Sequence, residues 1–255
     1  MHHDELLETP VMTTRVPLLV PVFNNPYYVE RFCKHVEKFN CFDIVLFDNN
    51  SNYGKILEFY DSLPGNIGLI RMKYNFGPRL FWLLDNVYEA LPNFFCISDP
   101  DIEFNENIPY SFIDKLIDLA SRYQVGKVGF ALDIAEPHRM IQKKFRHADG
   151  WKDIWESEGD HWQHEIRGDP VGHDLYVADI DTTFALYDKR YFNRSAPFKA
   201  IRVAGLFTAK HLPWYTDVEI PDHERAFYAK SAIFSYFASD NVPIQLRSLF
   251  PQQDK

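Results

Sequence analysis

Four short apolar runs in the first hundred residues each end at a polar cluster, and helix-spaced segments separate them. The first run, residues 15–23, ends at Asn24-Asn25-Pro26, and the second, 42–47, at Asp48-Asn49-Asn50-Ser51. The third, 68–72, precedes Tyr74-Asn75-Phe76-Gly77-Pro78, and the fourth, 94–98, precedes Asp99-Pro100-Asp101. Apolar runs of this length bounded by turn residues read as buried strands. Segments 28–39, 54–63 and 80–90 read as helices; Val29, Phe32, Val36 and Phe39 show the spacing. Strands alternating with helices imply parallel pairing, an α/β chain. Ligands of such open sheets bind beyond the carboxyl ends of the strands, where all four polar clusters fall. The loops of any α/β protein are rich in turn residues too, so convergence at one rim is the feature to look for.

The second half is less regular. A helix is predicted over 109–123, strands over 127–132, 175–187 and 200–205, and a final helix over roughly 222–238. Residues 135–175 and 211–215 read as loop. Without an internal repeat or Gly/Ser linker, the expected organisation is an extension, 1–14, and a single domain, 15–255, with halves 15–108 and 109–255.

With 46% hydrophobic residues in 255, the chain can bury a sizeable core. No apolar run approaches the ~18–20 residues that span a bilayer. A net charge of −9 speaks against a phosphate-backbone partner, so no nucleic acid is expected. Cys33, Cys41 and Cys96 form no CxxC pair and read as buried thiols in a reducing compartment. The first residues carry no cationic and apolar leader pattern. A cytoplasmic protein is expected, with contact at the inner face of a membrane left open.

Asp99-Pro100-Asp101 is one of two DxD matches, the other being Asp179-Ile180-Asp181, and chance alone would supply about two. Its placement is more informative. Two close carboxylates after an apolar strand repel one another and are costly to bury. A divalent cation removes that cost, and Mg²⁺ or Mn²⁺ keeps positions for substrate phosphates. Pro100 fixes φ and stiffens the turn. The alternative is a turn carrying two solvated acids.

Taken together, residues 20–101 resemble the nucleotide-binding half of a GT-A glycosyltransferase, close to glycosyltransferase family 2 as an outlying member. The pieces that match in order and spacing are Val20-Pro21-Val22-Phe23-Asn24, Asp48-Asn49-Asn50-Ser51, Asn75-Phe76-Gly77-Pro78 with Arg79, and Ser98-Asp99-Pro100-Asp101. The prolines at 78 and 100 are departures from the usual pattern. The resemblance implies a GT-A (Rossmann-like) single domain with a mostly parallel central sheet, its first half for the nucleotide sugar and its second for the acceptor. It assigns nucleotide contacts to Pro21, Phe23, Asn24, Asp48, Asn50, Asn75, Gly77, Arg79, Ser98 and Asp99, with Asp48 accepting the uracil N3–H. It assigns the metal, Mn²⁺ or Mg²⁺, to Asp99 and Asp101, and to a late histidine matched by His211. An ionised Asp is acceptor-only and suits a base that donates N–H, Arg79 suits a phosphate as a fork donor, and imidazole is a sounder ligand for Mn²⁺ than for Mg²⁺. For Asp48 and Asn50 the alternative is an Asx-turn capping the next helix.

An inverting transfer needs a base for the acceptor hydroxyl. Asp181 and Asp179 are the catalytic candidates; on a strand they would face the same side. Asp181 lies thirty residues before His211, the spacing the resemblance implies. Asp181-Thr182-Thr183 could also bind sugar hydroxyls. Glu156, Glu158 and Asp160 are rivals, and a retaining mechanism stays open because the family's Glu-Asp pair is not plain here. Trp151, Trp155 and Trp162, with Glu156, His161 and His164, are read either as an acceptor platform or as an ordinary packed loop. The basic run Arg139, Lys143, Lys144, Arg146 and His147 could attract an anionic lipid-linked acceptor, though a solvated face is the stronger reading.

The expected function is therefore metal-dependent transfer from a UDP-sugar donor to a saccharide or lipid-linked saccharide acceptor, in surface polysaccharide or glycan assembly. One rival is a nucleotidyltransferase, disfavoured because the first loop lacks a Gly-rich basic signature. The other is a non-catalytic carbohydrate-binding module of similar fold.

Overall fold

The computed structural model describes residues 14–147, 150–170, 172 and 174–231, with only the backbone of 145–147. The extension over residues 1–13, the Arg146 and His147 side chains, and residues 232–238 of the expected last helix lie outside the described residues.

The first half builds β1 (Val16–Val22), α1 (Pro26–Glu37), β2 (Phe42–Asp48), α2 (Gly54–Asp61), β3 (Gly68–Arg71), α3 (Leu80–Leu83), α4 (Asp85–Ala90), β4 (Phe94–Ile97) and β5 (Ile102–Phe104). The second half builds α5 (Phe112–Tyr123), β6 (Lys127–Leu132), β7 (Lys144–His147), β8 (Gly150–Asp153), α6 (Ile154–Gly159), β9 (Glu165–Ile166), β10 (Leu175–Val177), β11 (Ala185–Asp188), β12 (Ile201–His211) and α7 (Asp222–Ser231). Among the described residues one ten-stranded sheet runs β3-β2-β1-β4-β11-β6-β12-β10-β9, with β5 beside β12. Strands β3, β2, β1 and β4 are mutually parallel, and β6 and β12 are parallel to each other. β11 enters antiparallel between β4 and β6. β7 and β8 form a separate hairpin.

Alternation along the strands divides the core between the two faces of this sheet. Leu18, Val20, Ile44, Leu46, Cys96 and Leu186 join one buried cluster with Val29 and Phe32 of α1 and Phe112 and Leu116 of α5. Leu19, Phe47, Phe95, Ile97, Ala185 and Tyr187 join the other with Phe81 and Trp82 of α3 and Tyr88 of α4. The result is a three-layer α/β fold, and its three cysteines are buried free thiols. No helix among the described residues is long and apolar enough to cross a membrane.

Two prolines shape the middle of the sheet. Leu19 turns its carbonyl toward β4 and accepts the Ser98 N–H at 3.2 Å. Pro17 and Pro21 share its parity but offer no N–H to that side. The β1–β4 ladder is accordingly confined to Leu18 and Leu19 opposite Cys96 and Ile97.

Several expected boundaries are corrected. The predicted helix over 80–90 is two short helices, because Leu84 is extended at ψ 112°. The strand expected over 175–187 is two strands, β10 and β11, which β6 and β12 separate within the sheet. The strand expected over 200–205 continues to His211, shifting register between Val203 and Thr208, a stretch containing Gly205 at φ +66°. That extension places His211, expected in a loop, at the end of a strand paired with Ile102. The stretch expected as loop between 135 and 175 contains the β7–β8 hairpin, α6 and β9.

Candidate active site

Register fixes the rim. Val22 lies opposite Asp48, and Asp48 opposite Arg71, so the loops after β1, β2 and β3 leave the sheet side by side. The loop after β4 joins them through the Leu19–Ser98 bond. This is the convergence expected of parallel strands.

The loops after β1 and β2 are tied mostly to each other. Asn24, fully buried at φ +52°, accepts the N–H groups of Asn52 and Tyr53 at 2.9 and 3.0 Å and so covers the start of α2. Its own N–H donates to Ser51 Oγ at 2.9 Å. Asp48 is fully buried. Its Oδ1 accepts from Ser51 N–H (3.0 Å) and Tyr60 OH (3.1 Å), and its Oδ2 from Arg71 Nε (3.1 Å). Asp48 thus binds its own loop at Ser51 N–H, but it does not cap α2, whose N-cap residue, Tyr53, makes no side-chain capping bond. Asn50 is exposed at φ +64°. Its neighbour Asn49 makes the link to the next loop, accepting the Phe76 N–H at 3.1 Å and reaching Gly77 O at 3.4 Å. Asn75 accepts the Gly77 N–H at 2.9 Å, an Asx-turn, and Gly77 sits at φ +75°, where glycine is favoured. Pro21 and Ser98 are buried, and Phe23 is half-buried at the rim.

The first DxD meets the second half of the chain. Asp101 Oδ1 lies 3.4 Å from His211 Nε2 at the end of β12. Asp99 accepts a hydrogen bond from Thr182 Oγ1 at 2.7 Å, and its backbone N–H donates to Thr182 O at 2.9 Å. Burial, then the charge of Asp101, pushes the Asp99 carboxyl up to about 7. Burial alone would pull the His211 imidazole down, but Asp101 and Asp99 outweigh it and hold it above its ordinary value. Two carboxylates and an imidazole suit Mn²⁺, and the energetic cost of keeping two acids together is what a bound cation would relieve. As they stand, Asp101 faces His211 and Asp99 faces Thr182. Among the described residues no three histidine, cysteine or acidic side chains form a ready-made cage.

The second DxD is presented by an extended segment outside the sheet ladder. Val177, Asp179 and Asp181 are exposed while Ala178 and Ile180 are buried, so the two carboxylates share a side. Two buried cations fix this segment through its backbone. Lys127 Nζ donates to Ile180 O, Asp181 O and Pro197 O at 2.6, 2.7 and 3.2 Å. It also lies 5.1 Å from the Trp82 ring and 4.9 Å from that of Tyr187. Burial pulls the Lys127 ammonium down to about 7, against the charges of Asp181 and Asp179. Arg202 donates twice to Asp179 O, at 2.9 and 2.7 Å, and forms a buried ion pair with Glu158. These carbonyls bond to side chains, while the N–H groups of Ala178 and Ile180 donate to Ala200 O and Phe198 O at 3.2 and 2.8 Å. Neither cation was singled out from sequence, because a carbonyl acceptor leaves no mark there. Glu158, a rival base, is committed to Arg202. Asp181 is held by Arg79 in a two-pronged ion pair, Nε–Oδ1 2.9 Å and Nη2–Oδ2 2.5 Å, and the Arg79 guanidinium lies 4.8 Å from the Phe198 ring.

Much of the tryptophan-rich stretch is engaged in its own packing. Trp155 packs against the core, and Glu156 forms a capping box with Asp153 at the start of α6. Asp160 pairs with Lys152 at 2.6 Å. Trp151 is exposed, and Trp162 packs on Tyr176 with centroids 5.2 Å apart. In the basic run, Arg139 is engaged by Glu136 and Asp217, and Lys144 by Asp153.

No family model matches the chain, and no curated protein does. Solved structures do. One is a mannosyltransferase from Pyrobaculum calidifontis in complex with GDP-Man and Mn²⁺, 11% identical, TM-score 0.50, covering 94% of this chain and 69% of that one. Another is GalNAc-T7 with UDP, GalNAc and Mn²⁺, also 11% identical with TM-score 0.50, covering 85% of this chain. The present chain spans about half of that protein, 48%. With these neighbours, the ordered sheet and the loops gathered at its rim, the chain has the fold of a GT-A-like glycosyltransferase.

Proposed function

We propose that this protein is a metal-dependent glycosyltransferase, an outlying relative of family 2, that moves a sugar from a UDP-sugar to a saccharide or lipid-linked saccharide acceptor in surface polysaccharide or glycan assembly. The observation that carries the proposal is the meeting of Asp101, from the loop after β4, with His211, from the end of β12, 3.4 Å apart beside Asp99. Solved neighbours of this fold are complexes with a nucleotide or nucleotide sugar and Mn²⁺, which supports the same chemistry here.

In this reading 15–108 serves the donor and 109–255 the acceptor. Phe23 offers the base an apolar wall, and Arg71, half-exposed over Asp48, offers it a donor edge. Asn75, Gly77 and Arg79 border the phosphates, and Asp99, Asp101 and His211 would hold Mn²⁺, or Mg²⁺ in its place. Held there, such an ion would supply positive charge for the diphosphate leaving group. Asp181 takes the proton of the acceptor hydroxyl as that oxygen attacks the anomeric carbon, with inversion. It reaches that state when Arg79 turns from it to a donor phosphate. The pair is 37% and 47% exposed, so it contributes on the order of 1 kcal/mol or less and does not lock the site.

A screen of nucleotide sugars for slow donor hydrolysis with Mn²⁺ tests the proposal. Hydrolysis of one UDP-sugar is expected, and it is expected to cease on chelation. Hydrolysis of none, together with tight binding of free saccharide, would favour a non-catalytic carbohydrate-binding protein.

A further inference from the structure

A cleft of about 470 Å³ opens at the β9–β10 edge of the sheet, lined by Trp162, His164, Glu165, Arg167, Tyr176 and Val177, with Gln163 beside them. Its chemistry is mixed in a particular way. Trp162 and Tyr176 supply adjoining aromatic faces at 5.2 Å, and Val177 is 56% exposed. Around them stand an amide, an imidazole and an Arg167–Glu165 pair at 3.2 Å. Trp162 Nε1 is buried without a hydrogen-bond partner, an expensive state for an indole N–H. Apolar rings for sugar C–H faces, with planar polar groups beside them for hydroxyls, make a carbohydrate surface rather than a purely apolar or ionic one.

The cleft shares one chain segment with the candidate reaction centre. Val177 lies in it, and Val177, Asp179 and Asp181 are exposed on one side of the same extended segment while Ala178 and Ile180 are buried. At ~3.3 Å per residue, Val177 and Asp181 are separated by roughly 13 Å, the reach of a short oligosaccharide.

We propose that this cleft is a distal saccharide subsite, and that the acceptor is an oligosaccharide lying along Val177, Asp179 and Asp181 with its reacting end at Asp181. The inference rests on the transferase reading for its orientation, but binding in the cleft is measurable without it. The test is tryptophan fluorescence of the full chain, titrated with manno-, gluco- and N-acetylglucosamine-oligosaccharides from monosaccharide to hexasaccharide. In one series affinity is expected to rise roughly tenfold or more with length. That gain is expected to vanish in Trp162→Ala and in Val177→Asp, the second a change at an exposed position, with folding checked by an unchanged UDP titration. UDP affinity, measured in the same variants, is expected to stay at the wild-type level. No response to any series, or length dependence that survives Val177→Asp, overturns the subsite. Loss of UDP binding by the wild-type chain would instead count against the transferase reading and leave the saccharide result standing.

Discussion

Both carboxylate oxygens of Asp181 lie in the guanidinium fork of Arg79, at 2.9 and 2.5 Å. The residue proposed as the base and the residue proposed to meet a phosphate thus occupy one another. Their separation on donor binding gives two distinguishable variants. Asp181→Asn is expected to lower turnover by about 10²–10⁴-fold with UDP affinity equal to the wild type or slightly raised, because Arg79 no longer has to leave a carboxylate. Arg79→Ala is expected to weaken UDP binding about tenfold or more, the loss of a charge-assisted contact. Calorimetric UDP titrations beside hydrolysis rates check both. If Asp181→Asn turns over normally, Asp179 on the same side inherits the role.

The buried clamp under Asp181 is a stability element. Lys127→Met strands three backbone carbonyls that Nζ now bonds. A loss of about 2–4 kcal/mol in unfolding free energy is expected, since buried polar groups left unpaired are costly. Urea denaturation measures it, and an unchanged midpoint would show that the carbonyls find other partners.

A pH effect follows from His35, whose Nε2 accepts the Phe104 N–H at 3.0 Å and must therefore carry no proton. Burial, aided by Lys38, pulls this imidazole down from 6.5 to about 4. Between these values the unfolded chain binds more protons than the folded one, so stability falls as pH drops from 6.5 toward 4. The expected loss at pH 5 relative to pH 7.5 is about 1–2 kcal/mol from this residue, allowing for solvent screening. His35→Gln keeps an acceptor and removes the titration, so its stability should change less over that range. Equal slopes for the two proteins would contradict the assignment.

Much of the first half was legible in the sequence because each apolar run is bounded by turn residues. The parallel pairing of β1 to β4 and the shared rim follow from that alternation, whereas the order β3-β2-β1-β4 does not. The second half was less legible for physical reasons. The length of β12 depends on a register shift around Gly205 and on pairing with β5, a three-residue strand with no pattern of its own. His211 therefore read as loop. The segment between β10 and β11 is held by Lys127 and Arg202 reaching backbone carbonyls, and a carbonyl is present at every residue. The polar loops did advertise Asp48, Asn75 and Asp99. Whether each faces a ligand or its own turn depended on neighbours such as Tyr60, Gly77 and Thr182.

The account depends most on a cation joining Asp99, Asp101 and His211 to a nucleotide diphosphate. Titration calorimetry of UDP with and without Mn²⁺, on the wild-type chain and on Asp101→Ala, addresses this directly. The account predicts binding that requires Mn²⁺ in the wild type, is abolished in Asp101→Ala and is weakened in His211→Ala. UDP binding of equal strength with and without the ion, or undiminished in Asp101→Ala, would contradict it.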